Sequence, residues 1–427
     1  MSLDRRRFLQ QSLAAGMVAG CATFNKPAKV RAASANEKVV VGLMGCGRGK
    51  QLIQTFAPSP NCHIEYVAET DSRRLAEGAS LVTKLAGNNP QQVVDFRKIL
   101  DDKKVDALIV AAPDHWHAPA TIMACNAGKH VYCEKPASHN AQEGEWMVAA
   151  ARKHNRVVQL GTQRRSEPSF VEGIKKLHGG AIGKPLFARS YYFNPRPSIN
   201  KGQAAPVPEW LNYDLWQGPA PEREYRDNLI HYNWHWFWHW GTAELGNNGV
   251  HTIDIARWGL GVDYPTRVST GGGRYRYDDD QETPDTSVTT FDFGDRSICW
   301  EGRSFYKPIA DEAPKFEVGF YGDDGTLTVD RRTYKIYDPA GKLVEEQKFA
   351  SGDGPHVENF LECVKTGARP NADIEEGHKS TLLCHLGNIA YRRGETLHID
   401  PVTHKPTDSE AAKLWGREYR KGWEPVV

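Results

Sequence analysis

The chain of 427 residues lacks several features that would place it in common functional classes. No basic block follows the N-terminal region and the net charge is only +1, so neither nucleic acid nor an anionic membrane surface is indicated as a partner. The eight cysteines show no Cys-x-x-Cys spacing, which argues against a zinc or redox framework, and we find no internal repeat. What remains is a chain of ordinary globular composition, long enough for two domains.

Residues 1–35 are predicted to be an export signal and linker. The stretch 4–10, with three consecutive arginines, resembles a twin-arginine signal, and the apolar run 13–19 is too short to span a bilayer. Two processing sites remain open, because residues 18–21 resemble a lipobox in which Cys21 would be lipidated, and a second site follows Ala35. We expect a periplasmic or exported protein, anchored to a membrane only if Cys21 carries lipid; a disordered cytosolic leader is the alternative.

Residues 36–161 alternate strand and helix patterns. Strands are predicted at 39–44, 63–68, 105–111, 130–133 and 157–161, with helices at 73–85, 119–127 and 141–154. Such alternation is typical of a parallel sheet with helices on both faces. We therefore predict an α/β protein with an N-terminal Rossmann domain built on a doubly wound sheet.

Residues 162–427 predict a second, α+β domain with a large, mostly antiparallel open sheet. A long loop rich in Trp and Pro, residues 194–241, interrupts its early part. Predicted helices lie at 168–178, 246–260, 355–366 and 374–392, and predicted strands at 186–193, 266–271, 287–293, 297–302, 315–321 and 326–329.

The first predicted strand ends in a glycine turn, Gly45-Cys46-Gly47-Arg48, which is typical of a dinucleotide pyrophosphate site. The fingerprint is imperfect, because Lys50 stands where its third glycine is expected. An acidic pair closes the second strand roughly twenty residues later, and Asp71 is predicted to bind the ribose hydroxyls of NAD. Two arginines, Arg73 and Arg74, leave NADP open, since either could pair with its phosphate.

Four motifs in order resemble those of the Gfo/Idh/MocA oxidoreductases, which include glucose–fructose oxidoreductase and inositol dehydrogenase. They lie at residues 45–47, 112–117 (Ala-Pro-Asp-His-Trp-His), 128–136 and 249–254 (Gly-Val-His-Thr-Ile-Asp). The resemblance implies a nicotinamide cofactor, a sugar or cyclic polyol as substrate, and a homodimer or homotetramer formed through the open sheet.

The resemblance also assigns roles to single residues. Lys135 matches the family's active-site lysine, His251 its acid/base histidine, and Asp254 a hydroxyl-binding acid. Asn247 stands where the dehydrogenases usually carry Asp; an amide can orient an imidazole but cannot charge it. The expected cofactor contacts are Gly45, Cys46, Gly47, Arg48, Asp71, Pro113, His117, Glu134 and Lys135.

The chemistry supports a lysine and a histidine independently. Oxidation of an H–C–OH centre removes a hydride and a proton, so a base must stand at the hydroxyl. A lysine beside a cationic nicotinamide has a lowered pKa and can take that proton. The structural alternatives are a surface lysine, a packed helical histidine and, for Asp254, a solvated helix face.

Residues 233–240 alternate Trp with His or Phe. A strand would place the indoles on one face as a platform for a sugar, with Trp236 and His235 as candidate substrate contacts; core packing explains the aromatics equally well. Arg164 follows the last Rossmann strand, where a substrate contact and a structural ion pair are both open.

The sequence thus predicts an NAD(P)-dependent oxidoreductase acting on a sugar, glycoside or cyclic polyol, without a metal. Because no NAD pool exists outside the cytoplasm, an exported enzyme is expected to keep its cofactor bound. The alternatives are a glycoside-cleaving enzyme that oxidises its substrate transiently and, at greater distance, a non-catalytic carbohydrate-binding lipoprotein.

Overall fold

Two β-sheets organise the protein, and the computed structural model describes residues 37–305 and 316–427. The predicted twin-arginine signal and the lipobox at Cys21 lie outside the described residues. In the described ranges no helix has both the length and the apolar character needed to cross a membrane.

The N-terminal sheet has six strands in the order β3-β2-β1-β4-β5-β6, and all its neighbouring strands are parallel. The strands are β1 Val39–Met44, β2 Cys62–Ala68, β3 Gln91–Val93, β4 Ala107–Val110, β5 His130–Cys133 and β6 Val158–Leu160. The central strands are buried along their whole length, because helices cover both faces. The predicted doubly wound sheet is confirmed.

Five helices connect these strands. They are α1 Gly49–Phe56, α2 Ser72–Ala86, α3 Arg97–Asp101, α4 Asp114–Asn126 and α5 Ala141–Lys153. Side chains cap two of them: Asp71 accepts from backbone N–H groups at the start of α2, and Asn140 does the same for α5. The strand order reverses between β1 and β4, which leaves a crevice at the carboxyl ends of these strands.

The second sheet has nine strands in the order β14-β13-β12-β11-β7-β10-β9-β8-β15. The strands are β7 Pro185–Phe193, β8 Arg267–Gly273, β9 Thr286–Asp292, β10 Ser297–Arg303, β11 Val318–Gly322, β12 Gly325–Val329, β13 Thr333–Tyr337, β14 Leu343–Lys348 and β15 Leu397–His398. Its pairs are antiparallel except β7 with β10, so the predicted mostly antiparallel sheet is confirmed. Strands β13, β14 and β15 were not predicted.

The second half of the described chain has the helices α6 Pro168–His178, α7 Tyr213–Gln217, α8 Val250–Leu260, α9 Gly354–Thr366, α10 Ile374–Arg393 and α11 Ser409–Ala412. Helices α6, α8 and α10 cover one face of the nine-stranded sheet. Side chains of α8 and α10 pack with the inner face of the sheet in one hydrophobic core. Helix α9 instead packs on the N-terminal sheet, where the ring of Phe360 meets those of Phe56 and Tyr132. The late part of the chain therefore completes the Rossmann core.

Candidate active site

A cleft of about 740 Å³ lies at the carboxyl ends of the parallel strands. Its lining includes the residues that follow β1, β2, β4 and β5, so it occupies the crevice where the strand order reverses. Ligands bind open α/β sheets at this position, and the volume is in the range of small-molecule and cofactor sites. The C-terminal sheet domain and the Trp-rich segment, residues 194–241, supply the remaining walls.

The glycine turn after β1 fits a dinucleotide. Gly45 has φ +93°, and a Cβ at this position would lie 2.6 Å from the carbonyl oxygen of Ala111. Helix α1 begins directly after the turn with no side-chain cap and no acidic residue in its first turn. Its N-terminal N–H groups and dipole are therefore free to face a pyrophosphate, and Gly45, Gly47 and Arg48 line the cleft here.

The acidic pair after β2 is used differently from the prediction. Glu69 lines the cleft, and its Oε2 accepts the Cys46 N–H at 2.7 Å. Asp71 is fully buried outside the cleft, where it caps α2 and bonds the Arg73 guanidinium (2.9 Å) and His231 Nε2 (2.8 Å). Burial favours its protonated form, but the bonds from Arg73 and His231 lower the pKa of Asp71 to about 2.

Both carboxylates have internal partners, since Glu69 also accepts from the backbone N–H groups of Thr70 and Asp71, but Glu69 lines the cleft and Asp71 does not. Cys46 donates its backbone N–H to Glu69, while its side chain is fully buried. Arg73 is also engaged, since its guanidinium stacks on Trp210 at 3.6 Å, whereas Arg74 lines the cleft.

Lys135 lies in the cleft just after β5. Its Nζ donates to the backbone oxygen of Asn247 (2.6 Å) and to Asn247 Oδ1 (3.2 Å). Burial lowers the pKa of Lys135, although Glu134 and Asp114 oppose that shift. The ring nitrogens of His117 face the carbonyl oxygens of Pro136 (2.5 Å) and Ala112 (2.8 Å), so His117 ties the lysine segment to the turn after β4.

The other predicted contacts of this region also line the cleft. Pro113 precedes α4, and Glu134 accepts from Arg48 Nε at 3.2 Å and from Gln163 Nε2 at 3.3 Å. The structure thus brings Lys135, Glu134, Pro113, His117 and the glycine turn together in one cleft, and their contacts with a cofactor stay predictions.

His251 enters the cleft from the other domain. It is the second residue of α8, which follows the π-helical turn Leu245–Gly249; such turns are frequent at functional sites. Its Nδ1 is buried and has no hydrogen-bond partner in the described part of the chain. Burial, and then the charges of Arg164 and Lys135, hold the pKa of His251 well below its usual value, so the ring is neutral.

Asn247 lines the cleft but contacts Lys135 instead of the imidazole for which its position was interpreted. Its amide nitrogen points to the Tyr232 hydroxyl at 3.4 Å. Residue 247 therefore acts on the lysine in this structure.

Asp254 does not reach the cleft, contrary to its predicted role at a substrate hydroxyl. It is fully buried, and its carboxylate accepts hydrogen bonds from Nε and Nη2 of Arg165 at 2.8–3.0 Å and from the Ser380 hydroxyl at 2.6 Å. A carboxylate with these partners has no free face for a ligand, so the position is structural.

The remaining candidates are divided. Arg164 lines the cleft and pairs through Nε with Glu317, so it forms the structural ion pair, and its contact with a substrate stays a prediction. His235 lines the cleft and stacks on Trp234 with ring centroids 3.6 Å apart. Trp236 is 2% exposed and packs in the core of the Trp-rich segment, because residues 233–236 form a 3₁₀ turn that turns its indole inward.

Several cleft residues were not predicted. Asp114 lies inside one of the recognised motifs; it accepts from the Thr242 hydroxyl at 2.6 Å, and burial raises its pKa. Arg331 and Asp353 come from distant loops, with no local pattern to mark them. Further unpredicted residues of the lining include Tyr232, Trp234 and Asn248. Among the described residues, no group of three His, Cys, Asp or Glu side chains could hold a metal ion.

Comparison with known proteins agrees with this geometry. Residues 38–162 match an oxidoreductase family model described as an NAD-binding Rossmann fold, and residues 187–296 match the C-terminal alpha/beta domain of the same family. Fold and site together define a nucleotide-binding oxidoreductase. The chain belongs to the Gfo/Idh/MocA family, and the predicted NAD-binding domain is confirmed.

The individual relatives share low sequence identity with this chain. Inositol 2-dehydrogenase of Salmonella typhimurium is 28% identical over 53% of this chain and 55% of its own length. A glycosyl hydrolase family 109 protein of Saccharopolyspora erythraea is 28% identical over 52% of this chain and 55% of its own. The chain spans about half the length of the curated relatives it matches. Levoglucosan dehydrogenase, solved with NADH and levoglucosan, shares the fold with a TM-score of 0.66 at 20% identity, over 85% of this chain and 99% of that one.

Proposed function

We propose that the protein is an NAD-dependent oxidoreductase that acts on a CH–OH group of a sugar, glycoside or cyclic polyol. The observation that carries this proposal is a buried lysine and an unpartnered neutral histidine in the same cleft as a dinucleotide turn. Lys135 and His251 come from different domains, and both lie where the nucleotide cleft meets the second sheet domain.

Lys135 is the proton-handling group at the substrate hydroxyl. Burial lowers its pKa, which raises the fraction of neutral amine near neutral pH and makes it a better base than an exposed lysine. Two oxygens of Asn247 fix the position of Nζ, so the amine is held in place before a substrate binds.

His251 is the second polar group at the reacting carbon. Its ring is neutral and lines the cleft, so an imidazole nitrogen can donate to or accept from a substrate oxygen.

The residues present fit a nicotinamide dinucleotide. Gly45, Gly47 and the N-terminus of α1 would hold the pyrophosphate, Glu69 the adenosine ribose, and Pro113 the nicotinamide half. When bound, the nicotinamide supplies the hydride acceptor or donor that no amino-acid side chain can replace.

Sugars and cyclic polyols are the substrate class favoured by the relatives, which are named for inositol and levoglucosan. The polar lining of the substrate end suits hydroxyl-rich molecules, since Asn247, Asn248 and Arg164 accompany Lys135 and His251. The family 109 relative favours a second candidate, redox-neutral cleavage of a glycoside.

We also propose that the protein is exported and retains its cofactor, on the motif at residues 4–10. A homodimer or homotetramer would use the outer face of the nine-stranded sheet, where aromatic rings such as those of Phe187, Tyr191 and Tyr321 cluster. Light scattering of the purified protein tests this assembly.

Lys135→Ala tests the catalytic assignment. Loss of an acid/base group should lower turnover by about 10²–10⁴-fold while the nucleotide stays bound. Absorbance at 340 nm is followed with a panel of aldoses, inositols and glycosides, and aglycone release is measured in parallel to separate cleavage from net oxidation. The exposed Lys153→Ala is the matched control; a Lys135→Ala enzyme that keeps turnover within about threefold contradicts the assignment.

A further inference from the structure

The Trp-rich segment, residues 194–241, leaves the second domain and crosses to the Rossmann domain. It has little regular structure, only α7 and one 3₁₀ turn, yet it has an apolar core of its own. That core includes Trp216, Trp234, Trp236 and Trp240. The segment is therefore a packed element rather than an open loop.

Its first docking point is the turn after β2. Ser72 N–H donates to the Trp210 oxygen and Asn212 N–H to the Thr70 oxygen, both at 2.9 Å. The Arg73 guanidinium lies 3.6 Å above the Trp210 ring, and His231 bonds Asp71 at 2.8 Å. The acid predicted to hold the ribose holds this segment instead.

The second docking point is α4. His115 Nε2 and Trp116 Nε1 both approach the backbone oxygen of Trp216, at 2.8 and 3.0 Å. Gly218 has φ +47°, and a Cβ there would lie 1.9 Å from the Trp116 ring, so only glycine permits this approach. The two docking points lie on either side of the nucleotide crevice, after β2 and after β4.

Between these points the segment forms a wall of the cleft. Six of its residues line the cleft together with the glycine turn and Glu69: Leu215, Trp216, His231, Tyr232, Trp234 and His235. A nucleotide held by the glycine turn would thus be enclosed between the Rossmann domain and this segment.

We propose that the Trp-rich segment retains the cofactor, and that Asp71 and Trp210 fasten it to the Rossmann domain. Release of the nucleotide requires the docking point after β2 to open, so these contacts set the dissociation rate. The inference rests on the proposed function, because it presupposes that the cleft holds a nicotinamide dinucleotide.

Nucleotide dissociation tests the proposal directly. The full-length protein is loaded with NADH and chased with excess NAD, and NADH fluorescence reports the rate. Trp210→Ala removes the half-buried indole under Arg73, and Asp71→Asn keeps the α2 cap while weakening the bonds to His231 and Arg73. Each should speed dissociation by about tenfold, the factor of roughly one lost net hydrogen bond.

Val207→Ala is the control, because Val207 is 44% exposed on the same segment. Dissociation from Trp210→Ala within about twofold of wild type overturns the proposal, whatever Asp71→Asn does, since a ribose contact alone would explain an effect at Asp71. Equal acceleration by Val207→Ala also overturns it. Wild-type protein that binds no NADH refutes the proposed function itself, an outcome distinct from unchanged rates.

Discussion

His251 and Asp254 lie one turn apart on α8, but they belong to different regions of the molecule. His251 lines the cleft, and its Nδ1 has no partner in the described residues. Asp254 lies in a buried layer of ion pairs, where its carboxylate accepts hydrogen bonds from Arg165 and Ser380. The same layer includes Arg257 and Glu376. The comparison shows that the state of the partners, more than residue type, separates groups available for chemistry from groups that support the site.

The nucleotide end repeats this contrast on a shorter scale. Glu69 and Asp71 follow the same strand, yet Glu69 faces the cleft and Asp71 fastens the Trp-rich segment. Asp71, predicted from its position after the second strand, and Asp254, predicted from the family resemblance, both use their carboxylates for internal partners.

The largest effect should come from the buried layer. Asp254→Ala removes the closest counter-charge of Arg165, whose side chain is 6% exposed and whose other ion pair, with Glu376, is longer at 3.6 Å. Breaking a buried pair in this way costs about 3–5 kcal/mol of unfolding free energy. Urea unfolding at pH 7 measures it, and His251→Gln is the comparison, expected to change stability by less than about 1.5 kcal/mol. If the two variants had nearly equal unfolding free energies, the distinction between the buried ion-pair layer and the cleft would be wrong.

Much of this architecture could be predicted, because strand and helix periodicity depends on local sequence. The parallel strands from Val39 to Leu160 and the cleft position of Lys135 followed from short patterns of apolar residues, glycine and proline. The roles of Asp71 and Asp254 could not, since their partners His231 and Arg165 lie 160 and 89 residues away. Pairing over such distances leaves no local signal.

Arg331 and Asp353 illustrate the same limit for the cleft itself. They lie on loops after β12 and before α9, and they reach the cleft only through the topology of the second sheet. The two-residue periodicity of the Trp-rich segment was misleading, because tertiary packing of its indoles replaced the regular strand or helix.

Buried neutral histidines should give the next effect. Burial lowers the pKa values of His130, His356 and His378 to about 4, whereas the unfolded chain binds these protons near pH 6.5. Between pH 6.5 and 4 the unfolded state is therefore the more protonated, and the unfolding free energy falls as the pH falls. Each histidine contributes on the order of 1–3 kcal/mol to this loss.

Urea unfolding at pH values from 7.5 to 4.5 measures this decline, and proton uptake on unfolding measures it independently. The ion-pair layer behaves differently from the histidines over this pH range, because the pKa of Glu376 is lowered to about 2 and its carboxylate keeps its charge. A flat unfolding free energy between pH 7 and 5 would contradict the neutral state of these histidines.

The smallest effect should come from Asn247→Asp, which converts an uncharged partner into a charged one inside the cleft. Asn247 Oδ1 lies 3.2 Å from Lys135 Nζ, so a carboxylate there stabilises the ammonium and raises the pKa of Lys135. Less neutral amine is then present at neutral pH, and the acidic limb of the kcat/KM profile for oxidation should move to higher pH.

Asn248→Asp is the control variant. It adds the same charge one residue away, where the Asn248 side chain bonds Glu244 instead of the lysine, and it should move the acidic limb less. Equal shifts in the two variants would show that general charge in the cleft, rather than the contact of residue 247, tunes Lys135. An unchanged profile in Asn247→Asp would show that this amide is only a structural neighbour of the lysine, like the paired groups beneath the cleft.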